Sequence, residues 1–150
     1  MDVLFNKQPR SINRLEGRLQ AECVIWYRNV WYKNPKHLWA TFNEGKDVTT
    51  KMSLGLTPYV SDLLYYEHPG RGLIGIEMKY PGETHEVSRI LGQAKWILEV
   101  CSQGGFCDSL ELFQKIIRGE SNGIDPKRVI QHCSIIKTKS IVWSKSLCEN

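Results

Sequence analysis

One strand with two charges constrains this chain more than any other feature. Residues 72–80 (GLIGIEMKY) have the pattern of a β-strand that is apolar almost throughout, yet it contains Glu77 and Lys79. Side chains two positions apart on a strand share a face, so Glu77 and Lys79 point to one side and Met78 to the other. Such an apolar strand belongs in the interior of a sheet, where an unpaired carboxylate is costly. The two charges therefore require a partner or a function that offsets the cost of burying them.

The preceding strand supplies a second acid. Asp62 opens the apolar run 63–66, and the Pro and Gly of EHPGR predict a turn between the two strands. If Tyr66 pairs near the start of the next strand, Asp62 falls opposite Ile76 or Glu77. Two close carboxylates repel each other unless a hard cation lies between them, and Mg²⁺ or Mn²⁺ is the natural occupant. An acid and a lysine two residues apart are also common on the solvated face of an edge strand. The short motif therefore indicates a metal site only together with the apolar residues around it.

These residues resemble the PD-(D/E)xK nuclease superfamily, and the wider pattern is similar to its virus-type replication-repair nuclease (VRR-NUC) branch in stand-alone form. The likeness spans the helix RLEGRLQAECVIWYR, the segments LWATFNEGK, LGLTPYVSDLLYY and GLIGIEMKYPGE, and a glutamine leading into AKWILEVCSQGG. It implies an α/β fold with a restriction-endonuclease-like core, in which helices flank a central mixed β-sheet on both faces. One departure is Ser61, where the family usually has proline.

The resemblance implies a Mg²⁺- or Mn²⁺-dependent deoxyribonuclease. Matched residue by residue, the implied catalytic set is Glu16, Asp62, Glu77, Lys79 and Gln93. The implied metal ligands are Asp62, Glu77 and the backbone carbonyl of Met78. Lys79 would position or activate the attacking water. The implied DNA contacts are Asn43, Lys46 and Lys51.

Periodicity and resemblance disagree about the acid on the first helix. The apolar stripe of this helix consists of Leu15, Leu19, Cys23, Trp26 and Val30. Glu22 lies on that stripe, whereas Glu16 is one residue away from it but stands one turn before Gln20, as in the family. We favour Glu16, and a solvated helix face is the alternative for both acids.

The length of 150 residues predicts one domain. We divide it into an arm (1–13), a nuclease core (14–118) and a basic extension (119–150). Within the core we expect a helix over about 14–32 and a second over about 87–103, stopped by Gln103, Gly104 and Gly105. A short strand at Phe106 and Cys107 and a helix capped by Asp108 or Ser109 should follow, with a last short helix over 126–133.

The charge distribution, cysteine content and hydropathy of the sequence indicate which partners and which compartment to expect. Residues 1–60 contain nine Lys and Arg against five acids, residues 61–125 six against ten, and residues 126–150 five against one. Basic ends around an acidic middle suit a metal site that binds a polyanion. Five cysteines without a CxxC pair indicate neither a disulfide framework nor a zinc knuckle. With no membrane-spanning run, we expect a cytoplasmic protein of a bacterium or of a phage-infected host.

The leading hypothesis is a structure-selective DNA endonuclease, with a Holliday-junction resolvase as its most specific form. We expect a homodimer on branched DNA, with aromatic residues not assigned to the core in its interface, namely Trp31, Tyr32, Trp39 and Trp143. The alternatives are a flap or single-strand nuclease, a catalytically inactive nucleic-acid-binding module of the same fold, and a thiol enzyme. The last would use Cys101 or Cys107 with His85 or His132.

Overall fold

The computed structural model describes residues 15–31, 35–41 and 57–148. Within these ranges the chain forms four α-helices and six short β-strands. In chain order they are α1 (Leu15–Val30), β1 (Leu38–Ala40), β2 (Leu63–Tyr65), β3 (Ile74–Met78), β4 (Thr84–Glu86), α2 (Val87–Val100), β5 (Gln103–Cys107), α3 (Leu110–Ile117), α4 (Pro126–Ile135) and β6 (Ser140–Val142). The two helices that the sequence predicted most strongly, α1 and α2, are both present.

Four strands form a mixed sheet in the order β1-β2-β3-β5. β2 pairs antiparallel with both β1 and β3, whereas β5 lies parallel to β3. The parallel pair is joined through α2, because parallel neighbours need a crossover connection. Leu63 pairs with Ile76, so the same register continued by one residue sets Asp62 opposite Glu77. The α/β class and the hairpin register are thus confirmed.

Helices cover both faces of this sheet. α1 and α3 pack on the face that carries Ile74, Ile76 and Met78, in a core that includes Phe113. α2 and α4 pack on the opposite face, in a core that includes Phe106. All five residues of β3 are buried as a consequence. This is the pattern expected of an interior strand covered on both sides.

The C-terminal end of α2 differs from the sequence prediction. The helix ends at Val100, and the residues Gln103, Gly104 and Gly105, which were expected to stop it, begin β5. Gly104 has a φ of +147°, and a Cβ at this position would contact the backbone of Gly75 on β3. The glycines therefore allow close strand pairing rather than terminating a helix. Of the two caps proposed for α3, Ser109 is the one observed, since its side chain accepts a hydrogen bond from Leu112 N.

Part of the C-terminal extension expected from residue 119 packs against the rest of the chain. α4 packs against α2, and Val129 and Cys133 join the core on that face of the sheet. β6 pairs antiparallel with β4 in a separate two-stranded sheet. Much of the expected extension is therefore part of the folded body, because the α2 face would otherwise leave apolar surface open to water.

Trp143 is a core residue and not an interface residue. Only 1% of it is exposed, and its ring stacks on Phe106 with 5.1 Å between ring centroids. Trp31 is half-buried and packs against the α1 core, whereas Trp39 is 42% exposed. Tyr32 lies outside the described residues. In the part of the chain that the structure describes, no helix has the length and apolar composition to cross a bilayer.

Candidate metal centre

Glu77 and Lys79 lie at the C-terminal end of β3 and are each only 1% exposed. Lys79 Nζ donates a hydrogen bond to Glu77 Oε1 over 3.2 Å. Glu77 Oε2 has no hydrogen-bond partner among the described residues. Burial and then the charge of Asp62 raise the pKa of Glu77 well above its ordinary value, against the opposing effect of Lys79. A buried oxygen without a partner is costly unless something binds to it.

Asp62 is anchored beside Glu77 by backbone contacts. Its Oδ2 accepts a hydrogen bond from Met78 N over 2.9 Å, and its carbonyl accepts one from Thr41 N over 3.0 Å. Thr41 Oγ1 also donates to the Ser61 carbonyl over 2.6 Å, so the end of β1 holds the chain where it enters β2. The N–H and C=O groups of one strand residue point to the same side. The Met78 carbonyl therefore points to the side of β3 on which β2 and Asp62 lie, and its role as a ligand stays a prediction.

Glu16, on the first turn of α1, completes a group of three carboxylates. One oxygen from each of Glu16, Asp62 and Glu77 can be chosen so that all three lie within 4.8 Å of one another. Burial chiefly raises the pKa of Glu16 to about 7, with Lys79 opposing and Asp62 adding to the rise. Glu22, the alternative acid, is exposed. The structure thus brings Glu16 and not Glu22 to the other two acids.

Gln93 is buried on α2, with 5% exposed, and its Oε1 has no hydrogen-bond partner within the described ranges. The position of Gln93 along the sheet follows from the close approach of Gly75 on β3 to Ile97 on α2. A Cβ on Gly75 would lie 3.5 Å from Ile97 Cγ1. α2 runs antiparallel to β3, so one helical turn back from Ile97, about 5.4 Å, matches two residues forward from Gly75, about 6.6 Å. Gln93 therefore lies level with Glu77, on the face of the sheet to which Glu77 points.

A second group of ligand atoms lies beside the first and was not singled out from the sequence. Glu16, Glu83 and His85 also offer three atoms within 4.8 Å of one another. His85 Nε2 is 3.7 Å from Glu16 Oε2. Burial chiefly lowers the pKa of His85 to about 4. The GETHE segment could have indicated this group from the sequence, because Glu83 and His85 are two residues apart and share a face if that segment is a strand.

The remaining predicted residues are either undescribed or lie apart from these groups. Asn43, Lys46 and Lys51 lie outside the described residues. Cys107 is fully buried in the core under α1 and α3. Burial raises the pKa of Cys101 to about 11, the opposite of what an activated thiol nucleophile needs.

The donor set suits a hard divalent cation. Three convergent carboxylates, two of them with a buried oxygen that has no hydrogen-bond partner among the described residues, are typical of Mg²⁺ and Mn²⁺ sites. The adjacent ammonium of Lys79 offsets part of the negative charge while no cation is bound. No family model, curated protein or solved structure matches this chain.

Proposed function

We propose that this chain is a Mg²⁺- or Mn²⁺-dependent deoxyribonuclease that hydrolyses phosphodiester bonds. The observation that carries the proposal is the environment of Glu77. This carboxylate is buried in an interior strand, faces Asp62 and Glu16, contacts Lys79, and leaves one oxygen without a partner among the described residues. Burying so much charge is expensive, and a bound cation that works on a phosphate is the function that best accounts for it.

Each side chain has a role that follows from its position. Asp62, Glu77 and Glu16 would hold the cation, with the Met78 carbonyl on the same side. When bound, the cation would polarise the phosphate and lower the pKa of water. Lys79, held next to Glu77, would stabilise negative charge as it develops on the phosphate. Gln93, level with Glu77, would orient the water or the phosphate through its amide.

The resemblance to the VRR-NUC branch supports a nuclease over other phosphodiesterases. The β2–β3 hairpin contains Asp62 and the Glu77-x-Lys79 motif, and helix α1 adds an acid beside them. We propose a restriction-endonuclease-like core on this basis. Catalytic inactivity is the less favoured alternative, because a binding module would have no use for three clustered acids.

Exposed basic side chains on α2 and on the C-terminal segment favour a nucleic-acid substrate. They are Arg89, Lys95, Lys127, Arg128, Lys137 and Lys139. The helices α2 and α4 cover the face of the sheet to which Glu77 points. Such charges bind phosphates without reading sequence, so DNA affinity should fall steeply as salt is raised.

Branched DNA and a homodimer are further parts of the proposal. A chain of this size gains a second active site by pairing, and two sites can address two strands of a junction. Of the aromatic residues expected at an interface, Trp39 is exposed. Light scattering at micromolar concentration measures the mass, and matched junction, flap and linear duplexes compare the substrates. A monomer that cuts flaps as readily as junctions would contradict both parts.

The test of the nuclease assignment is a cleavage assay with Mg²⁺, Mn²⁺ or EDTA, run beside calorimetric Mn²⁺ titration. Asp62→Asn and Glu77→Gln should abolish both cleavage and binding at the carboxylate group. Lys79→Ala should reduce cleavage by roughly 10²- to 10³-fold, the size of a lost electrostatic contact to the transition state, and still bind Mn²⁺.

Two helix acids provide a matched pair of controls. Glu16→Gln should impair cleavage and Mn²⁺ affinity, whereas Glu22→Gln, on the exposed side of the same helix, should leave both at the wild-type level. Circular dichroism verifies that each variant is folded. Full activity in Asp62→Asn, Glu77→Gln or Lys79→Ala would overturn the assignment, and DNA binding without any metal-dependent cleavage would favour the inactive binding module.

A further inference from the structure

The second ligand group, Glu16, Glu83 and His85, is not explained by the three-carboxylate site. It adds an imidazole nitrogen and a further carboxylate to Glu16, and its ligand atoms lie within 4.8 Å of one another. Glu16 belongs to both groups. A carboxylate has two oxygens and can bind one cation with each of them.

Two atoms of this group are buried without hydrogen-bond partners among the described residues. Glu16 Oε2 and His85 Nε2 are both shielded from solvent, and neither has a hydrogen-bond partner in the described part of the chain. They lie 3.7 Å apart, beyond hydrogen-bond distance. The fully buried Glu77 Oε2 in the adjoining group is unpartnered as well. Three buried atoms without hydrogen-bond partners, in two ligand groups that share Glu16, indicate that more than one position here is built to receive a ligand.

The backbone around Glu83 and His85 is held in place from the C-terminal segment. His85 pairs with Ile141 in the β4–β6 ladder. Trp143 N donates a hydrogen bond to the Glu83 carbonyl over 2.8 Å, and Gly82 N donates to the Trp143 carbonyl over 3.0 Å. His85 is less exposed than its strand neighbours Thr84 and Glu86, so it points inward. The backbone of the buried Trp143 thus anchors Glu83 and the start of β4, the strand that carries His85.

We propose that Glu16, Glu83 and His85 form a second divalent-cation site, and that Glu16 bridges the two cations. The imidazole makes this site prefer Mn²⁺ to Mg²⁺, because Mg²⁺ strongly favours oxygen ligands whereas Mn²⁺ accepts nitrogen more readily. The first site, made of oxygen ligands alone, accepts either ion. The inference deepens the proposed nuclease function and rests on it for its biological purpose, although cation binding is measurable without any substrate.

The test is calorimetric titration of the metal-free full chain with Mn²⁺ and, separately, with Mg²⁺. The wild type should bind two Mn²⁺ and one Mg²⁺. His85→Ala should weaken binding of the second Mn²⁺ at least roughly tenfold, a lower bound taken from the loss of outer ligand partners. Glu83→Gln should act in the same direction. His68→Ala, at the exposed hairpin turn, is the matched control and should bind two Mn²⁺.

Electron paramagnetic resonance supplies an independent readout. Two Mn²⁺ ions that share the Glu16 carboxylate should give a spin-coupled signal, and His85→Ala should give the signal of isolated ions. If His85→Ala does not fold by circular dichroism, His85→Asn and Glu83→Gln replace it. Coupled Mn²⁺ pairs that persist in these folded variants would overturn the site, and so would a second Mg²⁺ bound as tightly as the second Mn²⁺.

The same titrations separate the two proposals. A wild type that binds a single Mn²⁺, lost in Glu77→Gln and unaffected in His85→Ala, would overturn the second site and leave the nuclease proposal standing. A wild type that binds no Mn²⁺ would overturn both. Two Mn²⁺ ions in a protein that cleaves no DNA would support the second site and contradict the nuclease.

Discussion

The two faces of β3 are equally buried but chemically opposite. Ile74, Ile76 and Met78 are 0% exposed and belong to the apolar core under α1 and α3. On the other face Glu77 is 1% exposed and is paired with Lys79, which follows the strand. The two faces are buried to the same extent, so they differ in the chemistry of the groups that surround them.

This difference separates stability from function within one strand. The apolar face contributes to folding through surface removed from water. The charged face costs desolvation energy that its ion pair returns only in part. The proposed cation on the charged face would explain why the strand keeps both, and variants that change one face while preserving the other test this.

The largest expected effect comes from placing a charge on the apolar face. Ile76→Glu should destabilise the protein by about 4 kcal/mol or more, because its carboxylate would lie in the apolar core between α1 and α3, where no described member is cationic. Urea denaturation measures the change, and Ile76→Val, expected to cost about 1 kcal/mol, is the control for lost packing. An Ile76→Glu variant as stable as the wild type would show that depth alone does not penalise charge here.

The next effect is the pH dependence of the metal-free protein. The pKa of Glu16 rises from 4.5 to about 7 on folding, so the folded state binds its proton more tightly. Stability from this group is therefore present below about pH 4.5 and lost as the pH rises to about 7, by at most about 3 kcal/mol. His85, whose pKa falls from 6.5 to about 4, acts in the opposite direction over nearly the same range.

The comparison must therefore be made against Glu16→Gln, which retains His85. The stability of the wild type relative to Glu16→Gln should decrease between pH 4.5 and pH 7 in EDTA. Urea denaturation at several pH values measures the difference. Parallel curves for the two proteins would contradict the buried position of Glu16, and saturating Mn²⁺ should abolish the decrease because it favours the ionised carboxylate.

The smallest effect is replacement of the ion pair by apolar residues. The double variant Glu77→Leu, Lys79→Met should stabilise the metal-free protein by about 2 kcal/mol, since buried ion pairs are often no better than well-packed apolar side chains. Glu77→Leu alone should destabilise, because it leaves the Lys79 ammonium buried without its partner. Urea denaturation in EDTA completes the double-mutant cycle. A double variant less stable than either single variant would mean that the pair holds the fold together.

Local patterns predicted the hairpin and its register well. The apolar runs of β2 and β3 and the Pro-Gly turn between them are close in sequence, so pairing Leu63 with Ile76 requires little loop closure. The same local reasoning failed at Gly104, where the helix-stop signal of glycine and its role in close strand pairing look identical in sequence. Trp143 was misassigned because a lone aromatic in a basic tail carries no periodicity to mark it as buried.

The sequence by itself determined that β3 is an interior strand with one charged face, because alternation and apolar content are properties of adjacent residues. It also nominated Asp62 as the partner of Glu77. Only the tertiary structure decided that Glu16 rather than Glu22 reaches these acids, and that Glu83 and His85 join Glu16. Those contacts depend on how α1 lies against the sheet and on the anchoring of β4 by Trp143. Long-range packing of this kind leaves no periodic signal in the chain.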